Sequence, residues 1–201
     1  MPIVVGLGNP GASYLHTRHN AGWMFVDQLA TALAAKNGGQ LVVWKQQLKW
    51  QLEVCQIGDW QLLKPLTFMN NSGLAVRQFI EYYWHGYQPQ AQMQDLAMSL
   101  RTNPAEEKTN PLLIVAHDDL DLEVGAIKSR FGRGPKVHNG LLSLTQHLGT
   151  ERFWHVRLGV DSRGGQRDLP GKDYVLQNFS PDERAKFNQS VGEIINLWLL
   201  G

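Results

Sequence analysis

A single cysteine, Cys55, occurs in the 201 residues. That scarcity excludes an internal disulfide and a multi-thiolate metal cluster, and it suits a reducing compartment. Net charge is almost missing too: 19 basic and 18 acidic side chains leave +1. The chain as a whole exerts no general pull on a polyanion, so nucleic-acid binding would have to come from a local patch. No apolar run reaches the ~18 residues that cross a bilayer. Met1-Pro2-Ile3 enters an apolar stretch without the basic n-region and longer h-region of a signal peptide. Internal repeats and a clean domain boundary are also lacking. The expectation is a cytoplasmic protein with no membrane segment, whose 43% hydrophobic content supports one domain with a buried core.

What is present alternates between strand and helix patterns. Residues 3–7 predict a buried strand, and 21–36 a helix with Phe25, Leu29, Ala32 and Leu33 on one face, stopped by Asn37-Gly38-Gly39. Residues 51–57 and 61–66 predict a hairpin about Gly58-Asp59. Ser72 is placed to cap a helix carrying Val76, Phe79, Ile80 and Tyr83. A strand at 112–116 is expected to end in a loop. It is followed by a strand at 126–131, the basic glycine loop Gly132-Arg133-Gly134-Pro135-Lys136, a helix at 141–148 and a strand at 155–160. Residues 162–172 read as a polar loop. Ser180-Pro181-Asp182-Glu183 is a capping-box helix start, leading to a helix that buries Phe187, Val191, Ile194, Ile195 and Trp198. Residues 84–111, rich in Gln, Asn and Pro, predict a polar surface insertion. The expected fold is α/β: one domain over 1–201, a three-layer α/β/α sandwich around a twisted, mixed, mostly parallel sheet.

Two polar clusters follow two of the apolar strands. The first is Thr17-Arg18-His19-Asn20-Ala21-Gly22, at a helix entrance; the second is Ala116-His117-Asp118-Asp119-Leu120-Asp121. If both strands share a sheet, His19 and Asp118 open onto one edge, and a carboxylate that orients an imidazole is the unit of general-base catalysis. A lone histidine is also commonly structural. The loop Gly6-Leu7-Gly8-Asn9-Pro10-Gly11 matches a dinucleotide fingerprint literally, but Pro10 removes an N–H and the helix begins only near Ala21. His19, His117, Asp118 and His138 could form a metal site, although His16, His85, His147 and His155 show no ligand spacing. Ser72 is not in a nucleophile elbow and Cys55 sits mid-strand. Asn9, Asn20, Asn70 and Asn139 fit αL turn chemistry singly. Together they could hold a carbonyl and ribose hydroxyls without altering a base's charge.

Taken in order, Gly6-Leu7-Gly8-Asn9-Pro10-Gly11, Tyr14, Thr17-Arg18-His19-Asn20-Ala21-Gly22, Pro65 with Thr67-Phe68-Met69-Asn70, Ala116-His117-Asp118-Asp119-Leu120-Asp121-Leu122 and His138-Asn139-Gly140-Leu141 resemble the bacterial-type peptidyl-tRNA hydrolases over nearly the whole chain. The resemblance implies hydrolysis of the ester joining a peptide to the 3'-terminal ribose of tRNA, by a monomer without metal or other cofactor. It implies His19 as base and Asp118 as its partner, with Asn9, Asn70 and Asn139 as substrate contacts. Tyr14, Asn20 and Phe68, in the same blocks, are expected to contact substrate too. Arg130, Arg133, Lys136 and Arg163 are expected to grip phosphates of the acceptor stem behind the CCA end. Three features depart from the family pattern. The loop before His138 reads Gly132-Arg133-Gly134-Pro135-Lys136-Val137 where the family usually has a glycine-rich run with a second histidine, the 84–111 insertion is longer, and no basic tail follows the last helix. The alternative reading is a catalytically weak RNA-binding relative acting in RNA processing, similar to a plant organellar splicing protein.

Overall fold

The computed structural model describes residues 2–83, 112–135, 137–166 and 168–200; the insertion expected at 84–111 and Lys136 lie outside them. Strands β1 (Pro2–Gly6), β2 (Lys45–Gln47), β3 (Leu52–Ile57), β4 (Trp60–Pro65), β5 (Leu112–Glu123), β6 (Ile127–Phe131) and β7 (Trp154–Asp161) form one sheet in the order β2-β3-β4-β1-β5-β7-β6. The central strands β4, β1, β5 and β7 are parallel, while β2, β3 and β6 join antiparallel at the two sides. This is the mixed, mostly parallel α/β sandwich that the alternating pattern predicts.

Period-two alternation divides the core. Ile3 and Val5 of β1, with Leu113 and Val115 of β5, pack beneath α2 (Ser72–Tyr83) and α3 (Asn139–Leu148). Val4, Ile114, Ala116, Val156 and Leu158 face the opposite layer, α1 (Ala21–Lys36) and α5 (Pro181–Leu200). Strands covered on both faces read as continuous apolar runs, as these do. Phe25 of α1 meets Trp198 of α5 edge-on at 5.5 Å, a geometry that adds about 0.5–1.5 kcal/mol to area burial. A short helix, α4 (Gly171–Tyr174), precedes α5.

Several boundaries differ from the expectation. β5 does not stop at residue 116. Register with β7 continues through His117↔Arg157, Asp118↔Leu158 and Asp119↔Gly159, then shifts at a bulge before Glu123↔Asp161. Buried cross-strand partners hold these polar residues in strand geometry, so the polar cluster lies in the strand and not in a loop. Ser72 does not cap α2: its hydroxyl is buried without a partner among the described residues, and the Gly73 N–H goes to Ser143 Oγ at 3.0 Å. Edge strand β2 had no periodic signal. The capping box forms as read: Glu183 N–H donates to Ser180 Oγ at 3.3 Å, and Ser180 N–H donates to Glu183 Oε2 at 2.6 Å.

One close approach sets the geometry at the carboxyl ends of β1 and β5. The Leu7 N–H donates to Ala116 O at 2.9 Å, and α1 crosses directly above through Gly22. A Cβ at Gly22 would stand 2.3 Å from Ala116 O and 2.5 Å from Leu7 N. Both neighbours are backbone atoms of the central strands, so neither can give way cheaply. Gly22→Ala should therefore destabilise the fold by about 1–3 kcal/mol or more, read as a lowered urea midpoint at unchanged m-value; a midpoint equal to wild type would contradict the close crossing.

Candidate active site

The loop after β1 folds onto the start of α1 through one amide. Asn20 Oδ1 accepts the Asn9 N–H at 2.9 Å, and Asn20 Nδ2 donates to Asn9 O at 3.0 Å. Asn20 is 1% exposed, and both ends of its side chain are spent on the Asn9 backbone. It does not contact the cavity, contrary to the expectation: it is the staple that shapes the loop. Asn9, so held, accepts the Met69 N–H at Oδ1, 2.8 Å away. That commitment fixes which way the amide points and leaves Nδ2 as its open donor on the cavity wall.

His19 sits in the 3-10 turn Arg18–Asn20, immediately before α1. Its Nδ1 lies 2.8 Å from Oδ1 of Asp118 on β5, across 99 residues of sequence. The same oxygen receives His138 Nε2 at 2.9 Å. An ionised carboxylate can only accept, so both facing nitrogens carry hydrogens. For neutral His19 this leaves Nε2 with a free lone pair. His138 is the N-cap of α3, and its Nδ1 accepts the Leu141 N–H at 3.3 Å, which agrees with a hydrogen on Nε2. Burial disfavours a charged His19 ring, but the charge of Asp118 and its hydrogen bond prevail and raise the pKa above the ordinary value. Burial would likewise raise the Asp118 carboxyl. The two imidazoles and their hydrogen bonds overcome this and hold it well below the usual carboxylate range. His117, fully buried behind the site, is kept neutral chiefly by desolvation and donates from Nδ1 to Asp118 O at 2.9 Å.

His19, Asp118 and His138 place three potential ligand atoms within 4.8 Å of one another. The hydrogen bonds argue for protons there. A cation would have to displace the hydrogens on both rings, and the His138 hydrogen would move to Nδ1, where it would oppose the Leu141 N–H.

These groups open into a cavity of about 900 Å³. Asn70, in the 3-10 turn Met69–Asn71, and Asn139, the first residue of α3, are exposed on its wall with Phe68, 59% exposed. Tyr14 does not line the cavity. Its ring stands edge-on to Phe68 at 6.4 Å and 87°, supporting that ring from behind. The wall also includes Leu120, Leu169, Pro170 and Leu176, to which the sequence pattern gives no role. Arg130 on β6 and Arg133 in the following loop are exposed and do not line the cavity. Arg163 does line it, but its guanidinium is paired with Asp161, Nε–Oδ1 at 2.8 Å and Nη2–Oδ2 at 2.9 Å; it is not a free phosphate grip. The sequence pattern offers His138 a role only as a metal ligand. Its place directly before Asn-Gly at a helix start was the available signal.

Comparison with known proteins places this arrangement. The family model described as Peptidyl-tRNA hydrolase matches residues 3–95 and 85–199. A peptidyl-tRNA hydrolase of Cupriavidus pinatubonensis is 40% identical over 96% of this chain and 85% of its own length. One from Shouchella clausii is 37% identical over 99% and 94%. Among solved structures, a peptidyl-tRNA hydrolase from Acinetobacter baumannii superposes with a TM-score of 0.70 at 29% identity, covering 100% of this chain and 89% of that one. Matched along nearly its full length, the chain belongs to the peptidyl-tRNA hydrolase family.

Proposed function

We propose that the protein hydrolyses the ester between a peptide, or an N-blocked amino acid, and the 3'-terminal ribose of tRNA. It would act in the cytoplasm as a monomer without a cofactor and return free tRNA to translation. The observation that carries this reading is the His19–Asp118 contact at 2.8 Å, which leaves His19 Nε2 as a base beside the cavity. Water would give a proton to Nε2 while its oxygen attacks the ester carbonyl. The developing oxyanion would be met by Asn9 Nδ2, a donor whose direction is already fixed. Collapse breaks the bond to the ribose oxygen, and the proton on Nε2 goes to that leaving group. His138 adds a second hydrogen bond to Asp118 and keeps its carboxylate from turning away. Asn70 and Asn139 would hold ribose hydroxyls or the peptide, and the Phe68 face would stack a terminal base. Arg130, Arg133 and Lys136 would take acceptor-stem phosphates. An RNA-binding relative without turnover would have no use for a base and its orienting carboxylate, so the site favours hydrolysis.

His19→Ala should lower kcat by about a hundredfold to ten-thousandfold with tRNA affinity near wild type, measured by single-turnover release from N-acetylated aminoacyl-tRNA. Full activity would remove His19 from the mechanism.

The base must be neutral to work, so activity should fall as pH drops through the His19 pKa. Because that pKa is raised, the acid limb of kcat/KM should lie above the ordinary histidine value of about 6.5. Asp118→Asn removes the charge that raises it and leaves the burial that lowers it, so the acid limb should move to lower pH. An unmoved limb would mean that the pair does not govern the base.

EDTA should leave turnover unchanged, since both rings direct hydrogens at Asp118. Activity lost to chelator and restored by zinc or manganese would assign the chemistry to a metal.

Arg130→Ala with Arg133→Ala should flatten the slope of log K against log salt for tRNA by roughly one to two units. KM should rise at nearly constant kcat, because remote phosphate contacts bind ground and transition states alike. An unchanged slope would place the phosphate contacts elsewhere.

A further inference from the structure

A turn of three residues cannot by itself hold a catalytic ring to a fraction of an ångström. The turn carrying His19 is fastened from outside, by the segment that links α4 to α5. The Arg18 N–H donates to Gln177 O at 3.0 Å, the His19 N–H to Val175 O at 2.8 Å, and the Phe179 N–H to His16 O at 3.2 Å. The Arg18 side chain reinforces this seam. Its Nη1 donates to Asn178 O at 2.9 Å, and its guanidinium lies over the Tyr174 ring at 4.2 Å. Its Nη2 reaches both oxygens of Glu183, at 2.8 and 2.7 Å. The two side chains are only 7% and 14% exposed, so solvent screens the pair weakly and either charge left alone would be costly.

Glu183 gathers more than Arg18. It accepts the Ser180 N–H that starts α5, and it accepts Ser162 Oγ from the loop after β7. Ser162 in turn holds the Tyr174 hydroxyl at 2.8 Å. One carboxylate at a helix start therefore joins α5, the loop after β7 and the turn bearing the base. We propose that Glu183 is a positioning residue for the reaction, acting through Arg18 to set His19 against Asp118. The inference rests on His19 as the hydrolytic base. Glu183 does not line the cavity and touches no reacting atom.

The test is Glu183→Gln, which keeps the shape and the capping capacity but weakens the hold on Arg18. kcat should fall about 10- to 100-fold, the scale of a misplacement near 1 Å, with KM within about twofold. The His19 imidazole, followed by NMR and assigned by its loss in His19→Ala, should titrate roughly half a unit lower or more, as its contact with Asp118 loosens. Arg18→Gln/Glu183→Gln, which removes both charges and holds the net charge, should show the same lowering and so separate position from simple charge loss. Ser180→Ala, which removes only the cap on the Glu183 N–H, should cost about 2–4 °C in Tm while kcat and the His19 midpoint stay at wild type. An unmoved His19 midpoint in both glutamine variants, or a kcat loss that merely follows Tm across all three, would overturn the inference. The titration reads the placement of His19 whether or not the wild type turns over peptidyl-tRNA. Absence of wild-type turnover would instead overturn the proposed function.

Discussion

One oxygen atom organises the site. Asp118 Oδ1 accepts from His19 and from His138 at nearly equal distance, on a residue 3% exposed. A carboxylate so far from water is tolerable only when donors replace its hydration. The two imidazoles do so, and in return the anion fixes the tautomer of each. The reciprocity explains why both rings face inward and why the carboxyl stays ionised despite its burial. It also divides the labour: His138, buried and bonded at both nitrogens, is an anchor, whereas His19 keeps one nitrogen free at the cavity.

The constraint reaches into the fold because the three residues come from three separate places. Parallel pairing of β1 with β5 brings their carboxyl ends together, where an open α/β sheet presents its chemistry. The direct contact of α1 with those ends, through Gly22, lowers the His19 turn onto Asp118. His138 arrives on the loop that crosses from β6 to α3. Gly134 of that loop passes so close to His155 that a Cβ there would stand 2.9 Å from the ring. His155, 2% exposed, is in turn held neutral mainly by burial, with its pKa lowered to about 4. An uncharged ring under the loop adds no further charge beside the buried Asp118 carboxylate.

Much of this was legible from residues, and the failures share a cause. Ile3-Val4-Val5, the helix ending at Asn37-Gly38-Gly39, the hairpin at Gly58 and the capping box at Ser180 are written in local chemistry, and each is where its pattern puts it. The His19–Asp118 pair could be anticipated because both residues follow apolar runs of sequence, Ile3-Val4-Val5 and Leu112-Leu113-Ile114-Val115. What stayed hidden is set by contacts distant in sequence. β5 runs on through His117-Asp118-Asp119 because β7 pairs with it. Ser72 fails to cap because the chain enters α2 straight from the 3-10 turn Met69–Asn71, so Ser72 is itself already helical, at φ −59° and ψ −34°. Asn20 looked like a substrate contact among other asparagines, and only its two bonds to Asn9 show it to be a staple. Glu183 carried a purely local signal, that of a helix cap, and nothing local could show that it also holds Arg18.

The near-zero net charge takes on meaning once the pairs are placed. Arg18, Lys64, Arg77, Arg157 and Arg163 are each bound to a carboxylate, at Glu183, Asp27, Glu81, Asp119 and Asp161. Arg130 and Arg133 form no such pair among the described residues, and both are exposed, Arg130 near the end of β6 and Arg133 in the loop that delivers His138. A balanced chain can still attract a polyanion locally where exposed cations without a carboxylate partner stand close together. Affinity gained that way depends on salt and is indifferent to base sequence. This suits an enzyme whose chemistry lies at the 3' end common to every tRNA.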